Sequence, residues 1–329
     1  VSQCRGPRGS PPMTHLGYTL SSEEHGPTEL VEYAQRAEGV GFDFLSVSDH
    51  YHPWTAQQGN APFVWNVLGG VAAATEGIDV GVGVTCPTMR IHPAIVAQAA
   101  ATTQAMLPGE FYFGVGTGEN LNEHIIGEQW PEHGVRLDML EEAVDVIRSL
   151  WAGGQQSHHG EHYTVENARL FTLPDSPPPV VASAFGEHTA RAVADWADGF
   201  WTVGPQGELL DAYREAGGEG PAFAQLSVCY AETEAEAVET AIRNWPNTLL
   251  PGELPQELPT PQHFEQACQL VDAEDMRDAP LLTDPDPDAH IELLQEAFDQ
   301  GFDHVYVHQV GPDQDLFFER YESEILPSL

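Results

Sequence analysis

The sequence predicts an α/β protein, a (β/α)8 TIM barrel with insertions in its βα loops, and three observations carry that expectation. Short apolar runs, often β-branched, recur eight times along the chain. Helical patterns separate most of them, which is the signature of β-α units and a parallel sheet. Eight strands exceed what an open doubly wound sheet usually holds, and so favour closure into a barrel.

The runs are 15–20, 42–48, 78–85, 111–115, 179–184, 199–203, 224–230 and 304–308. After the first comes a helical stretch over 28–40, and after the third another over 93–107. After the fourth, Leu137, Leu140, Val144, Ile147 and Leu150 fall on one helical face. A helix over 187–198 follows the fifth run. Thr233 and Glu236 form a capping box after the seventh, and Asp286-Pro287 is an N-cap with an N1 proline ahead of a helix over 289–300. The longest break in this rhythm is 245–285, rich in Pro and acids ("WPNTLLPGELPQELPTPQ"). It reads as an insertion on the loop face between strands seven and eight. Residues 13–329 thus form one domain, and 1–12 read as a tag or leader remnant.

The chain has 329 residues and 41% apolar content, enough for a sizeable core. Against 51 acidic residues stand 12 basic ones, all arginine, for a formal net charge of −39. The absence of lysine excludes Schiff-base, pyridoxal and P-loop chemistry. Nucleic acid is a poor partner because binding it relies on cations replacing counterions. Acids spread along the whole length suit a cell with molar internal salt, where screening acts over about 3 Å. Four scattered cysteines indicate neither a disulfide framework nor a zinc knuckle, which fits the cytoplasm. No run is long enough for a membrane span, so neither a membrane nor a signal peptide is expected.

Catalytic groups in a barrel sit where strands end. The second strand runs directly into "VSDHYHPWTAQ". His50 is the side chain best tuned to exchange a proton near neutrality, and Asp49 beside it can fix its tautomer or hold a ligand. Trp54 offers a flat wall and one N–H donor. The fourth strand ends in "FYFGVGTGENLNEH", where Gly114, Gly116 and Gly118 let backbone approach a flat ligand and Glu119 is an acid–base candidate. These glycines are not a dinucleotide fingerprint, which belongs after the first strand with an acid about 20 residues on. In "VGVGVTCPTMR", Gly81 and Gly83 mark a bulge or a ligand leaning on the backbone. "ASAFGEHTARA" opens a helix whose N–H groups can meet a phosphate. Metal ligation by Asp49, His50 and His52, or by His158, His159 and His162, is disfavoured. Asp49 and His50, as neighbours, point to opposite sides of an extended chain, and the other three lie in a polar turn.

S-D-H-x-x-P-W (48–54) and G-V-G-T-G-E-x-L-N-E (114–123) resemble the luciferase-like flavin and deazaflavin barrel superfamily. The resemblance is greatest to its coenzyme F420-dependent glucose-6-phosphate dehydrogenases and alcohol dehydrogenases, and runs from about Gly17 to the C-terminus. It implies that His50 takes the hydroxyl proton while the substrate passes hydride to the deazaflavin, that Glu119 protonates the reduced ring, and that Trp54 lines the substrate pocket. It implies cofactor contacts at Asp49, Cys86, Thr117, Gly118, Asn122, Phe185, Gly186, His188 and Thr189, and a cis peptide beneath the ring at Gly83-Val84. Substrate contacts are implied at Glu23, Trp54, Val203 and Gln206, and a homodimer is expected.

Cys86 and Phe185 stand where small or hydroxyl residues are usual. The positions matching the family's phosphate-gripping threonine, two lysines and arginine are Val203, Gln206, roughly Ala279, and Asp315, and none is a cation. A phosphate facing Asp315 uncompensated would bind poorly. The expectation is therefore an F420-dependent dehydrogenase for a neutral alcohol or unphosphorylated sugar, reversible as a carbonyl reductase. The alternatives are a glucose-6-phosphate dehydrogenase proper, an FMN-dependent monooxygenase of the same superfamily, and a deazaflavin-binding protein without turnover.

Overall fold

Alternating apolar runs and capped helices assemble as β-α units in the computed structural model, which describes residues 14–329. The expected leader over 1–12 lies outside the described residues. The strands are β1 (His15–Leu20), β2 (Phe44–Val47), β3 (Asp79–Thr85), β4 (Phe111–Val115), β5 (Gln156–His159), β6 (Thr164–Ala168), β7 (Val180–Ser183), β8 (Gly199–Val203), β9 (Ala222–Val228), β10 (Leu281–Leu282) and β11 (His304–Gln309). The helices are α1 (Pro27–Val40), α2 (Val64–Ala74), α3 (Pro93–Met106), α4 (Asn120–Glu123), α5 (His133–Trp151), α6 (Glu187–Val193), α7 (Gly207–Glu215), α8 (Glu234–Asn244), α9 (Leu254–Glu257), α10 (Pro261–Cys268), α11 (Ala273–Arg277), α12 (Pro287–Asp299) and α13 (Gln314–Arg320).

Eight parallel strands close in the order β1-β2-β3-β4-β7-β8-β9-β11, with β11 pairing β1. The barrel is filled by Phe44, Val181, Trp201, Phe223 and Tyr306, with Val84 and Tyr112 against them. Trp201 stacks on Phe223 at 4.4 Å. This indole explains the two glycines of β3. A Cβ on Gly81 would lie 2.7 Å from Trp201, and one on Gly83 2.5 Å from it. What leans on this stretch at Gly81 is therefore the protein's own tryptophan, and the expected irregularity appears as a register shift between Val82 and Thr85.

Thr233 caps α8 and Asp286 caps α12, as their sequence signals imply. The α5 stripe from Leu137 to Leu150 is buried. The helix expected over 187–198 ends at Val193, because the chain turns to bring Asp198 under Val180 and into β8. The seventh strand starts two residues early, since Ala222 pairs with Phe200, and the backbone of Cys229 bonds Leu282 of β10 instead of continuing it. α2 buries Val64, Val67, Leu68, Val71 and Ala72 at helical spacing, but no capping side chain marks its start and Gly69-Gly70 interrupts it, so the sequence signals it poorly.

The stretch "SHHGEHY" is a hairpin, β5-β6, and not merely a turn. Its first strand has no apolar face, so alternation is invisible. Glu142 of α5 pins it, accepting from His158 Nε2 and from the backbone N–H groups of Glu161, His162 and Tyr163.

The 245–285 insertion carries α9, α10, α11 and β10 and folds back over the mouth. Phe264 packs edge-on against Trp54 at 5.1 Å, and Gln58 donates to the Asn244 carbonyl at 2.9 Å. Across the mouth, Glu257 accepts from Trp130 Nε1 at 3.2 Å while Asn120 donates to its carbonyl at 3.0 Å. No described helix is long and apolar enough to cross a membrane.

Candidate active site

The ends of β1, β2 and β4 converge on one imidazole. Nε2 of His50 lies 3.4 Å from Oε1 of Glu23 and 3.9 Å from Oε2 of Glu119. The His50 and Glu23 side chains are 10% and 4% exposed, whereas Glu119 is 25% exposed and is the more open of the two acids. Asn122 organises the group. Its Oδ1 accepts the N–H groups of Tyr51 and His52, which turns its Nδ2 toward Glu119 (2.9 Å) and Nδ1 of His50 (3.1 Å). Nδ1 also lies 3.2 Å from the His52 carbonyl. With Nδ1–H donating there, Nε2 is left bare as a base requires, and the Asn122 amide beside Nδ1 is then a contact and not a hydrogen bond. Trp54 stands 4.9 Å from the His50 ring.

Asp49 does not orient His50. Its Oδ2 accepts from Thr85 at 2.8 Å and its Oδ1 from Arg90 at 2.9 Å, so its lone pairs point away from the imidazole. Arg90 also meets Glu123, Nε to Oε1 at 3.4 Å, and its backbone N–H donates to Oε2 at 2.8 Å. Burial drives the Glu123 carboxyl up to about 7, and Arg90, shared with the closer Asp49, offsets this only in part. A carboxyl raised in this way favours the folded state fully below the usual carboxylate range, and the advantage is lost as pH rises through about 7. Chemical denaturation at pH 5 and pH 8 is expected to show wild-type stability falling, with Glu123→Gln removing on the order of 3 kcal/mol of the fall. Parallel curves for the two proteins would contradict the assignment.

Beside this triad, Cys86 is buried with Sγ 3.0 Å from Thr88 Oγ1, and burial pushes its thiol well up, leaving an unreactive S–H. Gly118 turns with φ +77°, and a Cβ there would lie 2.6 Å from Cys86 Sγ.

The remaining positions matched to cofactor contacts continue around the same rim. The Gly83–Val84 peptide is cis. A Cβ on Gly116 would meet Val84 at 2.8 Å and Ser183 at 3.8 Å, which places the end of β7 beside β3 and β4. From there the chain passes through Phe185, 54% exposed, and the exposed Gly186 and His188 to Thr189, whose Oγ1 is 2.9 Å from Nε2 of His133. Thr117 is half-buried.

Of the substrate positions, Glu23 and Trp54 join the His50 cluster, while Val203 and Gln206 lie at the rim after β8, Gln206 donating to the Val203 carbonyl at 3.0 Å. Ala279 packs in the apolar cluster that includes Trp54, Trp245 and Met276. Asp315 is not in the mouth. It pairs with Arg36 of the outer helix α1, whose guanidinium lies over Phe318, so its charge does not face a substrate. Three buried groups of this region escaped the sequence reading: Arg90, Glu24 and His308. His308 carried a signal, since it closes the last barrel strand. A hollow of about 550 Å³ lined by Gln104, Glu110, Leu173 and Asp175 lies at the opposite end of the barrel, where β4 begins, and holds no imidazole.

The pattern described as luciferase-like monooxygenase matches residues 12–304. The chain belongs to that family. Among luciferase-like proteins it is 35% identical over 330 residues to an F420-dependent glucose-6-phosphate dehydrogenase of Beutenbergia cavernae, covering 96% of this chain and 98% of that one. It is 34% identical to the protein of the same name in Nakamurella multipartita, covering 97% and 98%. The solved structure of an F420-dependent secondary alcohol dehydrogenase in complex with an F420-acetone adduct superposes with a TM-score of 0.88 at 29% identity, covering 96% of this luciferase-like chain and 99% of the other. The likeness carried by two motifs thus extends over nearly the whole sequence.

Proposed function

We propose that this luciferase-like chain is an F420-dependent oxidoreductase moving a hydride between a neutral alcohol, or an unphosphorylated sugar, and the deazaflavin. The observation that carries the substrate class is the state of the arginines. Among the described residues, Arg36, Arg90, Arg136, Arg148, Arg191, Arg243, Arg277 and Arg320 are each paired with a carboxylate. Arg214 donates to the carbonyls of Gly218 and Gly220, and Arg169 lies over Phe171. Among the described residues no guanidinium is left without a partner for a phosphate dianion, and the wall beside His50 is Trp54 backed by Phe264.

The residues present fit the cofactor. The positions matched to it run along one rim: Asn122 and Gly118 beside Cys86, Val84 against Gly116, and, past Ser183, the exposed Gly186 and then Thr189. F420, when bound, supplies the hydride acceptor. His50 takes the substrate's hydroxyl proton at Nε2, Glu119 gives up a proton from the opposite carboxyl, Asn122 holds Glu119 and the backbone that carries His50, and Trp54 keeps water from the reacting carbon.

Titrating the protein in high salt with F420 and with FMN, followed by fluorescence, tests the cofactor. F420 is expected to bind, and tight FMN binding without F420 binding would reject the reading. A panel of secondary alcohols, sugars and glucose 6-phosphate, monitored by loss of oxidised F420 absorbance, tests the substrate. Turnover confined to glucose 6-phosphate would return the chain to the activity its 34–35% identical relatives are named for.

A further inference from the structure

The proton path at His50 continues past its first carboxylate. Glu23 and Glu24 are consecutive after β1, and they serve two different imidazoles. Glu23 faces His50, while Oε2 of Glu24 lies 3.0 Å from Nε2 of His308 at the end of β11. Between them stands the Ser21 hydroxyl, 3.3 Å from Oε2 of Glu23 and 3.3 Å from Oε2 of Glu24. Ser21, Glu23 and His308 are buried, and so is the Glu24 side chain. Nδ1 of His308 has no partner, and Trp245 closes over that ring at 4.5 Å. Neutral donors complete the group: Ser48 donates to Glu23 at 2.6 Å and the Gly311 N–H to Glu24 at 2.9 Å. Among the described residues no arginine contacts either acid.

Two buried carboxylates with only imidazoles as counterions cannot hold two uncompensated charges, since desolvation penalises each one. The four groups therefore hold their protons jointly, and neutrality of the cluster requires two protons beyond those of two neutral imidazoles. The other titratable groups near the cluster are His25, whose Nε2 is buried and unpartnered, together with Tyr18, Cys229 and Glu119.

We infer that Glu24 and His308 form a proton store, joined to His50 through Glu23 and Ser21. Its use in turnover rests on the hydride-transfer reading above. The alcohol's hydroxyl proton passes to Nε2 of His50, and F420, when bound, would accept the hydride. His50 then passes the proton to Oε1 of Glu23. Glu23, protonated at Oε2, gives that proton to Ser21 as Oε1 receives one from His50, Ser21 gives its own to Oε2 of Glu24, and His308 takes it at Nε2 in the Nδ1–H tautomer. Only O–H and N–H bonds break and form along this path. Glu119 supplies the proton that leaves with the reduced cofactor, and the store empties as Glu119 is reprotonated, so protons balance over a cycle. A pair that merely ties the loop after β1 to β11 would act on His50 only as a fixed charge, and would leave it indifferent to Ser21→Ala, which removes the connecting hydroxyl and no charge.

The test needs no cofactor. In ¹⁵N-histidine NMR of the cofactor-free protein, the His50 midpoint is expected to move by about half a pH unit or more in Glu24→Gln and in His308→Gln, although neither residue touches His50. Ser21→Ala removes one hydroxyl and reads the same connection even where a larger change unfolds the chain. Superimposable His50 curves in wild type and every folded variant would overturn the store. In the F420-loaded enzyme, Glu24→Gln is expected to lower kcat about tenfold with KM unchanged and to displace the kcat–pH profile. Shifted His50 midpoints in a protein that binds no F420 would leave the store standing and remove the proposed function instead.

Discussion

His50→Ala is expected to lower turnover with F420 by about 10²-fold or more while F420 affinity stays within about twofold. The imidazole is the one group whose Nε2 reaches both acids, and removing it leaves Glu23 on Ser48 and Glu119 on Asn122 with no base between them. The cofactor-matched positions Val84, Gly118, Gly186 and Thr189 do not touch the ring, which is why affinity and turnover separate. The space vacated beside Trp54 is the size of an imidazole, so added imidazole should restore part of the activity, more so above its own pKa where the free base dominates. Turnover of His50→Ala equal to wild type would take His50 out of the chemistry altogether.

The barrel was legible because local periodicity reports it: a buried strand shows as an apolar run, and a capped amphipathic helix shows its caps and its stripe. Strand ends then pointed to His50 and Glu119, and they do meet, 3.9 Å apart. What escaped was set by pairings between residues far apart in the chain. The glycines of β3 answer to Trp201, more than a hundred residues away, and Asp315 is claimed by Arg36 across 279 positions. Asp49, whose place beside His50 suggests that it fixes the tautomer or holds a ligand, is held by Arg90 and Thr85. Adjacent residues on an extended segment point to opposite sides, so proximity in sequence misassigned the contact. The neutral substrate class is arguable from the missing cations at Val203, Gln206 and Ala279, whereas the sequence cannot say which of its twelve arginines are already paired or that Asp315 lies away from the mouth.

Arg90→Met should cost about 3–5 kcal/mol of stability and lower the melting temperature by roughly 5–10 °C. The Arg90 side chain is 6% exposed and its two partners lie deeper still, Asp49 at 2.9 Å and Glu123 at 3.4 Å. Among the described residues neither acid has another cation, so the change buries two carboxylates without compensation. Glu123, already raised to about 7 by burial with Arg90 present, must rise further without it. The loss therefore depends on pH in a fixed direction: it is smaller near pH 5, where Glu123 is protonated in both proteins, and larger at pH 8. Glu123→Gln added to Arg90→Met should recover part of the stability at pH 8 and almost none at pH 5. Function should suffer as well, because Asp49 precedes His50 and Glu123 follows the Asn122 that orients it. A double variant no more stable than Arg90→Met at pH 8 would mean that the guanidinium contributes packing there and not charge.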